Sequence, residues 1–402
     1  MSFRFVYRAP RAVPYWNPVT YRRILQSVLL NRIVHGPSLL HLRSLIIEAL
    51  NVENAFLCGS GSLALEIALR ACGVSPGDEV IIPTFCCTSV VPPVISVGAV
   101  PVLADIGEEL NVTAETVEAV LSKKTKAVIV PHLFGNPVDI PAIIELAVAK
   151  DIRIIDDAAQ ALGATVNSEH VGTFGNAGIL SFGSEKVCFG IGGGVVISRD
   201  QTIFERCTRI HLTSPQRSRL LRNLFSTVIR RRWRRWTRGV QMVLSRIKPT
   251  SPDSPPEPYR LEKMANLSAA VAHSLVDTLT ENIAARRLRV RAYQELLGSH
   301  DRLKLVSHRS GSACLSQVVR VLSRRSDDLA THAIEALNDA GYEVQGSYIP
   351  IHLLQRYEHL ARKPLRFAER VWADLIELPC EPSVSFEDLE RIAGIVKDVV
   401  KN

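Results

Sequence analysis

Lys186 stands in the stretch SFGSEKVCFGIGGGVV, residues 181–196, between a strand-like apolar run and a cluster of glycines. Its neighbours Phe182, Val187, Cys188 and Phe189 are apolar. A cationic amine in such company is costly unless it is paired or gives up its charge, and a desolvated lysine amine is a good nucleophile for carbonyls. The plainer reading is a surface lysine whose stem lies over the phenylalanines with its head in water. A second chemistry sits in IIDDAAQALGA, where Asp157 is followed by Ala158, Ala159 and Gln160. A carboxylate just after a buried strand either caps the next helix or pairs with a protonated ring nitrogen. The two alanines leave room for a flat group against the backbone. A third lies in CGSGS, residues 58–62, where Gly61 and Ser62 open a helix. Small residues there are ordinary N-caps, and they also let N–H groups and a hydroxyl approach a phosphate. Ser181 adds a hydroxyl, and Gly190, Gly192, Gly193 and Gly194 a wall without side chains. Together these are the groups that hold pyridoxal phosphate: an amine, a carboxylate and a phosphate cradle.

The elements that must position them read as an α/β alternation. Helical patterns fall at 61–72, 113–123 and 140–150, and strands at 79–83, 99–105, 126–134, 152–159, 178–184 and 193–199. Strands built of near-continuous Val, Ile and Leu are buried on both faces, which predicts a mainly parallel sheet covered by helices. Ligands bind beyond the carboxyl ends of such strands. Further on, 266–297 has the period of one long helix, strand-like pieces occupy 315–322 and 341–346 around a helix at 327–340, and a last helix begins at Ser385. Its stripe is Leu389, Ile392, Val396 and Val399, with Ser385 and Asp388 as a capping pair. The expected division is a large domain over 1–265, carrying an amino-terminal arm and a basic amphipathic insertion at 213–258, and then a long linking helix with a small C-terminal α+β domain over 266–402.

The chain has 402 residues, 47% of them hydrophobic and 22% charged, enough for a sizeable core. No apolar run is long enough to span a bilayer, and MSFRFVYRAPRAVPYW has no apolar segment of the secretory type. The eight cysteines form no CxxC pair and lie in apolar stretches, which suits free thiols in a reducing cytoplasm and predicts no metal site.

An ordered series of motifs points further: GSGSLALEIAL, GVSPGDEVIIPTF, GAVPVLADI, KAVIVPHLFGNPVDI, IIDDAAQALGA, VGTFGNAGILSFGSEK, GGGVVISRD, NLSAAVA, YIPIHLL and LPCEPSVSFEDLE. Through them the chain resembles the pyridoxal-phosphate-dependent sugar aminotransferases of the DegT/DnrJ/EryC1/StrS family, over roughly residues 30–212 and 259–400. The resemblance implies the fold type I arrangement and a homodimer with its site at the subunit interface. It implies that Lys186 attaches the cofactor and moves the proton, that Asp157 holds the ring nitrogen protonated, and that Gln160 meets the ring hydroxyl. Gly61, Ser62, Leu63 and Ser181 match phosphate contacts. His352, in YIPIHLL, matches a substrate-proximal position, with His132 a second candidate. Cys87 falls where many members stack an aromatic ring on the cofactor, with Phe85 two residues earlier. YRLEKM lacks the asparagine that many members extend across the dimer, leaving Arg260 or Lys263 for that contact. Members that dehydrate sugars replace the lysine with histidine, so the retained Lys186 points to transamination, from glutamate to a nucleotide-linked keto sugar. The alternatives are an inactive cofactor-binding regulator or membrane-surface scaffold, and an aminotransferase for a non-sugar ketone such as a cyclitol.

The net charge of +8 comes from one segment. Residues 216–248 hold eleven basic residues and no acidic one, and the rest of the chain has 37 basic against 40 acidic. Apolar residues at Leu221, Leu224, Phe225, Val228, Ile229, Trp233 and Trp236 recur at helical spacing against an arginine face. Such a helix over 217–248 fits the anionic inner face of a membrane. Packing on this subunit or its partner, and binding of another polyanion, are the rival readings; no fold built for nucleic acid is seen.

Overall fold

The computed structural model describes residues 8–9, 12, 14–232, 258–322 and 328–401. A seven-stranded sheet organises the large domain: β1 (Asn54–Cys58), β2 (Glu79–Pro83), β3 (Val100–Ala104), β4 (Thr125–Pro131), β5 (Arg153–Asp157), β8 (Ala177–Ser181) and β9 (Gly194–Ser198). The short β6 (Thr165–Val166) and β7 (Glu169–His170) form a separate hairpin. The order is β1-β9-β8-β5-β4-β2-β3. β2, β3, β4, β5 and β8 pair in parallel, and β9 runs antiparallel to both of its neighbours. Every residue of β2, β8 and β9 is buried, as their unbroken apolar runs require.

The reversal of β9 matters for function. It brings the start of β9 to the edge where β1, β4, β5 and β8 end. Register aligns Pro131 with Asp157, Asp157 with Ile179, Ser181 with Gly194, and Gly194 with Cys58. Cys58 and Gly194, far apart in sequence, therefore stand side by side at the edge that also carries Asp157 and Ser181.

Helices α1 (Pro18–Leu29) and α2 (Ser38–Leu50) precede the sheet, and α3 (Gly61–Ala71) follows β1. The long helix expected over 266–297 is two helices, Asn266–Asp277 and Leu279–Leu297, broken at Thr278, where φ is −110° and ψ 15°. The first belongs with the amino-terminal helices. The Asn266 side chain accepts from Ser38 N (2.9 Å) and donates to Arg32 O (2.6 Å), and Ser274 donates to Thr20 (2.9 Å).

The C-terminal domain is built on an antiparallel sheet, β10 (Leu303–Leu305), β11 (Ser316–Val321), β13 (Leu375–Pro379) and β12 (Gln345–Gly346), in that order. The strand expected over 341–346 shrinks to its last two residues. The fully buried β13 has no counterpart in the sequence reading: its apolar run, LIELP, is short and ends in proline. The last helix, Phe386–Lys401, buries Leu389, Ile392, Val396 and Val400, and Ser385 accepts from Asp388 N (3.1 Å) as its cap. The helix expected over 113–123 is confined to Ala114–Glu118.

The basic segment begins as a helix, Arg217–Arg232. Trp233, Trp236 and the remainder of the expected helix to 248 lie outside the described residues. Among the described residues no helix is long and apolar enough to cross a membrane. All eight cysteines are free, and all but Cys87 are buried.

Candidate active site

The strand ends enclose a cavity of about 200 Å³. Gly61, Ser62, Cys87, Asp157, Gln160, Ser181 and Lys186 all line it, as does His132. Leu63 and His352 do not.

Lys186 reaches the cavity from the loop after β8. Glu185 before it has φ +64°, while Val187 and Cys188 behind it are buried. Among the described residues its ammonium has no hydrogen-bond or ion-pair partner. Asp157 lies deeper, at the end of β5. One carboxylate oxygen accepts from Ala159 N (2.9 Å), and the other carries no hydrogen bond among the described residues. Burial pushes the Asp157 carboxyl above its usual range, partly opposed by that hydrogen bond and by Lys186.

The neighbouring Asp156 serves the scaffold. It accepts from Gly172 N (2.7 Å) and Phe174 N (3.0 Å), and its second oxygen lies 2.6 Å from His132 Nε2. Val138 N–H donates to His132 Nδ1 (3.1 Å), so Nε2 carries the proton and donates to Asp156. His132 thus presents a fixed ring to the cavity wall.

At the other end, α3 points its N-terminus into the cavity. Ser60 is its N-cap, its hydroxyl accepting from Leu63 N (3.2 Å). That contact explains why Leu63, buried and already satisfied, sits apart from the cavity. The N–H groups of Gly61 and Ser62 have no partner among the described residues and face the same space as the Ser181 hydroxyl. A Cβ on Gly61 would lie 2.8 Å from Ser181 Oγ, and one on Gly194 would lie 2.1 Å from Ser60 O. Only glycines let these three strand ends close on one another. Free N–H groups at a helix start, beside a hydroxyl, form an anion site.

Gln160 is held from two sides. Its oxygen accepts from Phe134 N (3.0 Å), and its amide donates to Tyr348 Oη (2.8 Å). Tyr348 packs edge-on against Phe85, with centroids 5.8 Å apart. Phe85 is fully buried in that cluster, so Cys87 takes the exposed slot, with its sulfur 3.0 Å from Ser89 Oγ. Among the described residues no Phe, Tyr or Trp lines the cavity. His352 is turned away: Nδ1 meets Thr84 Oγ1 (2.7 Å) and Nε2 meets Glu369 (3.1 Å). It pins the Pro350–Leu353 turn to the end of β2 instead of facing the cavity. Arg260 and Lys263 also lie outside the lining.

The sequence profile of the DegT/DnrJ/EryC1/StrS aminotransferase family matches residues 20–397. The chain belongs to that family. It is 28% identical over 356 residues to GDP-perosamine synthase of Vibrio cholerae, covering 87% of this chain and 88% of that one. A 145-residue stretch is 43% identical to a UDP-N-acetyl-3-dehydro-alpha-D-glucosamine 3-aminotransferase of Acidithiobacillus ferrooxidans, covering 36% of this chain and 39% of that one. Among solved structures, the aminotransferase PseC of Helicobacter pylori superposes with a TM-score of 0.81 over 97% of this chain and 98% of that one, at 18% identity, which is a likeness of fold.

This aminotransferase uses pyridoxal phosphate, and the cavity suits it chemically. A buried carboxylate with one unpaired oxygen is what a protonated ring nitrogen satisfies. An unpartnered amine suits covalent attachment, and open N–H groups with two serines suit a phosphate. Ser60, Ser89 and Tyr348 went unread in the sequence. Ser60 had a signal, a serine three residues before Leu63 at a helix start. Tyr348 opens the motif YIPIHLL, but only the fold shows that it, and not His352, reaches the site through Gln160.

Proposed function

We propose that this aminotransferase moves an amino group from glutamate to the ketone of a nucleotide-linked sugar, as a cytoplasmic homodimer against the inner face of the membrane. The observation that carries the chemistry is the opposition, in one cavity, of Lys186, without a partner among the described residues, and Asp157, with one oxygen that accepts no hydrogen bond among them. The relatives named above, which by name act on or make nucleotide-linked sugars, support the substrate class.

Pyridoxal phosphate supplies the electron sink that lets a carbon–hydrogen bond beside the nitrogen ionise. The chain does the rest. The N–H groups of Gly61 and Ser62, with the hydroxyls of Ser62 and Ser181, hold the phosphate. The Asp157 carboxylate keeps a proton on the ring nitrogen. Gln160, fixed by Phe134 and Tyr348, presents its amide to the ring edge. Lys186 Nζ, once free, would take the proton from the amino donor's carbon and deliver it to the cofactor carbon bearing the nitrogen within the same half of the cycle, and would carry a proton in the opposite direction, onto the sugar carbon, in the second half. Among the described residues it has no competing ion pair to hold it back.

The test is the visible spectrum of the protein with pyridoxal phosphate, before and after glutamate. The wild-type band should bleach with glutamate and return with a keto-sugar nucleotide, whereas Lys186→Ala should show neither change. A wild-type band that glutamate leaves unaltered would refute amino transfer from that donor.

A further inference from the structure

Residues 1–47 and 206–252 contain no aspartate or glutamate. The first stretch holds seven arginines, and the second contains the basic segment. The fold brings the two together. Ile24 of α1 and Leu220, Leu221 and Leu224 of the helix Arg217–Arg232 pack on one small cluster with Ile33 and Leu267. With those side chains turned inward, the outer sides of the same two helices expose apolar residues. Leu29 is 74% exposed and Phe225 67%, and Leu25, Leu30 and Val228 are exposed with them. Arg22, Arg217 and Arg222 are exposed on these helices as well, and Arg32 is exposed just beyond the end of α1. Two arginines of these helices have acidic partners: Arg23 pairs with the exposed Asp277 (3.2 Å), and Arg219 with the largely buried Glu262.

We propose that α1 and the helix Arg217–Arg232 form one face that docks on a bilayer surface carrying anionic lipid. Single exposed leucines are ordinary, but several together with no acidic residue among them mark an interaction site. Leucine and phenylalanine beside a dense arginine face are what an interfacial helix presents: the apolar side chains enter the acyl boundary and the arginines meet headgroup phosphates. A polyanion such as RNA would use the arginines and leave the leucines in water. A second copy across a two-fold axis would set arginine against arginine. The lipid surface alone satisfies both halves of the face. The proposal rests on the membrane placement proposed above and gives it a docking face; it is independent of the substrate, so its failure leaves the amino transfer standing.

The experiment uses the full chain with bound cofactor and vesicles of phosphatidylcholine, alone or mixed with phosphatidylglycerol. Co-sedimentation should occur with the mixed vesicles only and weaken as salt is raised. Arg22→Gln/Arg217→Gln/Arg222→Gln should weaken it by roughly 100-fold, from about fivefold per arginine near a charged surface. Leu25→Ser/Leu29→Ser/Phe225→Ser should weaken it by about 10-fold or more, from the apolar area withdrawn from lipid. Circular dichroism checks folding, and light scattering should give both variants the wild-type mass. The proposal fails if the wild type ignores the mixed vesicles, whether or not it binds RNA, or if both variants bind as the wild type does. It also fails if the leucine variant lowers the mass, because a second copy then covers the face.

Discussion

Asp156 and Asp157 are neighbours of the same type, yet they have opposite fates. Alternation along β5 sends their side chains to opposite faces of the sheet. Asp156 is spent on two backbone N–H groups and His132, whereas Asp157 keeps one oxygen for the cavity. Asp157→Asn should weaken pyridoxal phosphate binding by roughly 10- to 100-fold, since a hydrogen bond to a charged group contributes about 1.5–3 kcal/mol. The difference should depend on pH with a definite sign. Burial raises the Asp157 carboxyl above its ordinary value of 3.8. The wild-type advantage should hold above that raised value and vanish as pH falls through it, where the carboxyl becomes neutral. Titrating cofactor affinity of both proteins against pH checks this, and a difference unchanged at low pH would remove Asp157 from the ring nitrogen.

The decisive elements are α3 and β9. The N-terminus of α3 comes from β1, and β9 runs against its neighbours, so their glycines meet Ser181 at the same edge. Gly61→Ala places a Cβ 2.8 Å from Ser181 Oγ and 2.9 Å from its Cβ. Rotating the serine relieves only the first contact, so the helix start must move. We expect a stability loss of about 1–3 kcal/mol and weaker cofactor binding. Gly61→Ala/Ser181→Gly should regain the stability but not the binding, because the hydroxyl is gone. Thermal melts with cofactor titrations separate the two effects. Failure of the double variant to regain stability would show that the clash lies elsewhere.

For the whole molecule, the loop after β4 joins the site to the C-terminal domain. Ala313 N donates to Gly135 O (2.8 Å), Leu315 N to Phe134 O (2.9 Å), and Arg309 N to Asn136 Oδ1 (2.8 Å). His308 sits in this lacing, with Nδ1 2.8 Å from Ser312 Oγ. Burial pushes His308 down to about 4 from 6.5. Its folded form is therefore held neutral while the unfolded chain takes up a proton below 6.5. Stability should be full above pH 6.5 and fall between there and about 4, by up to about 3 kcal/mol. Denaturant melts of the wild type and His308→Gln against pH test it: the variant should show a shallower acid slope, and an equal slope would place the acid sensitivity in another group.

The chemistry was largely legible in the sequence because it depends on local order. Strand, carboxylate and small residues, then strand, lysine and glycines, are each contiguous, and the family's motifs occur in sequence. The near-continuous apolar strands likewise specified a buried, mainly parallel sheet. Directions and partners were not legible, because they belong to residues far apart in the chain. The reversal of β9, the break at Thr278 and the short β13 depend on what packs beside them. Tyr348 reaches Gln160 across 188 residues, and His352 turns from the cavity because Thr84 and Glu369 satisfy both ring nitrogens. Periodicity reports which face of an element is apolar; only the tertiary structure decides which polar group that face meets.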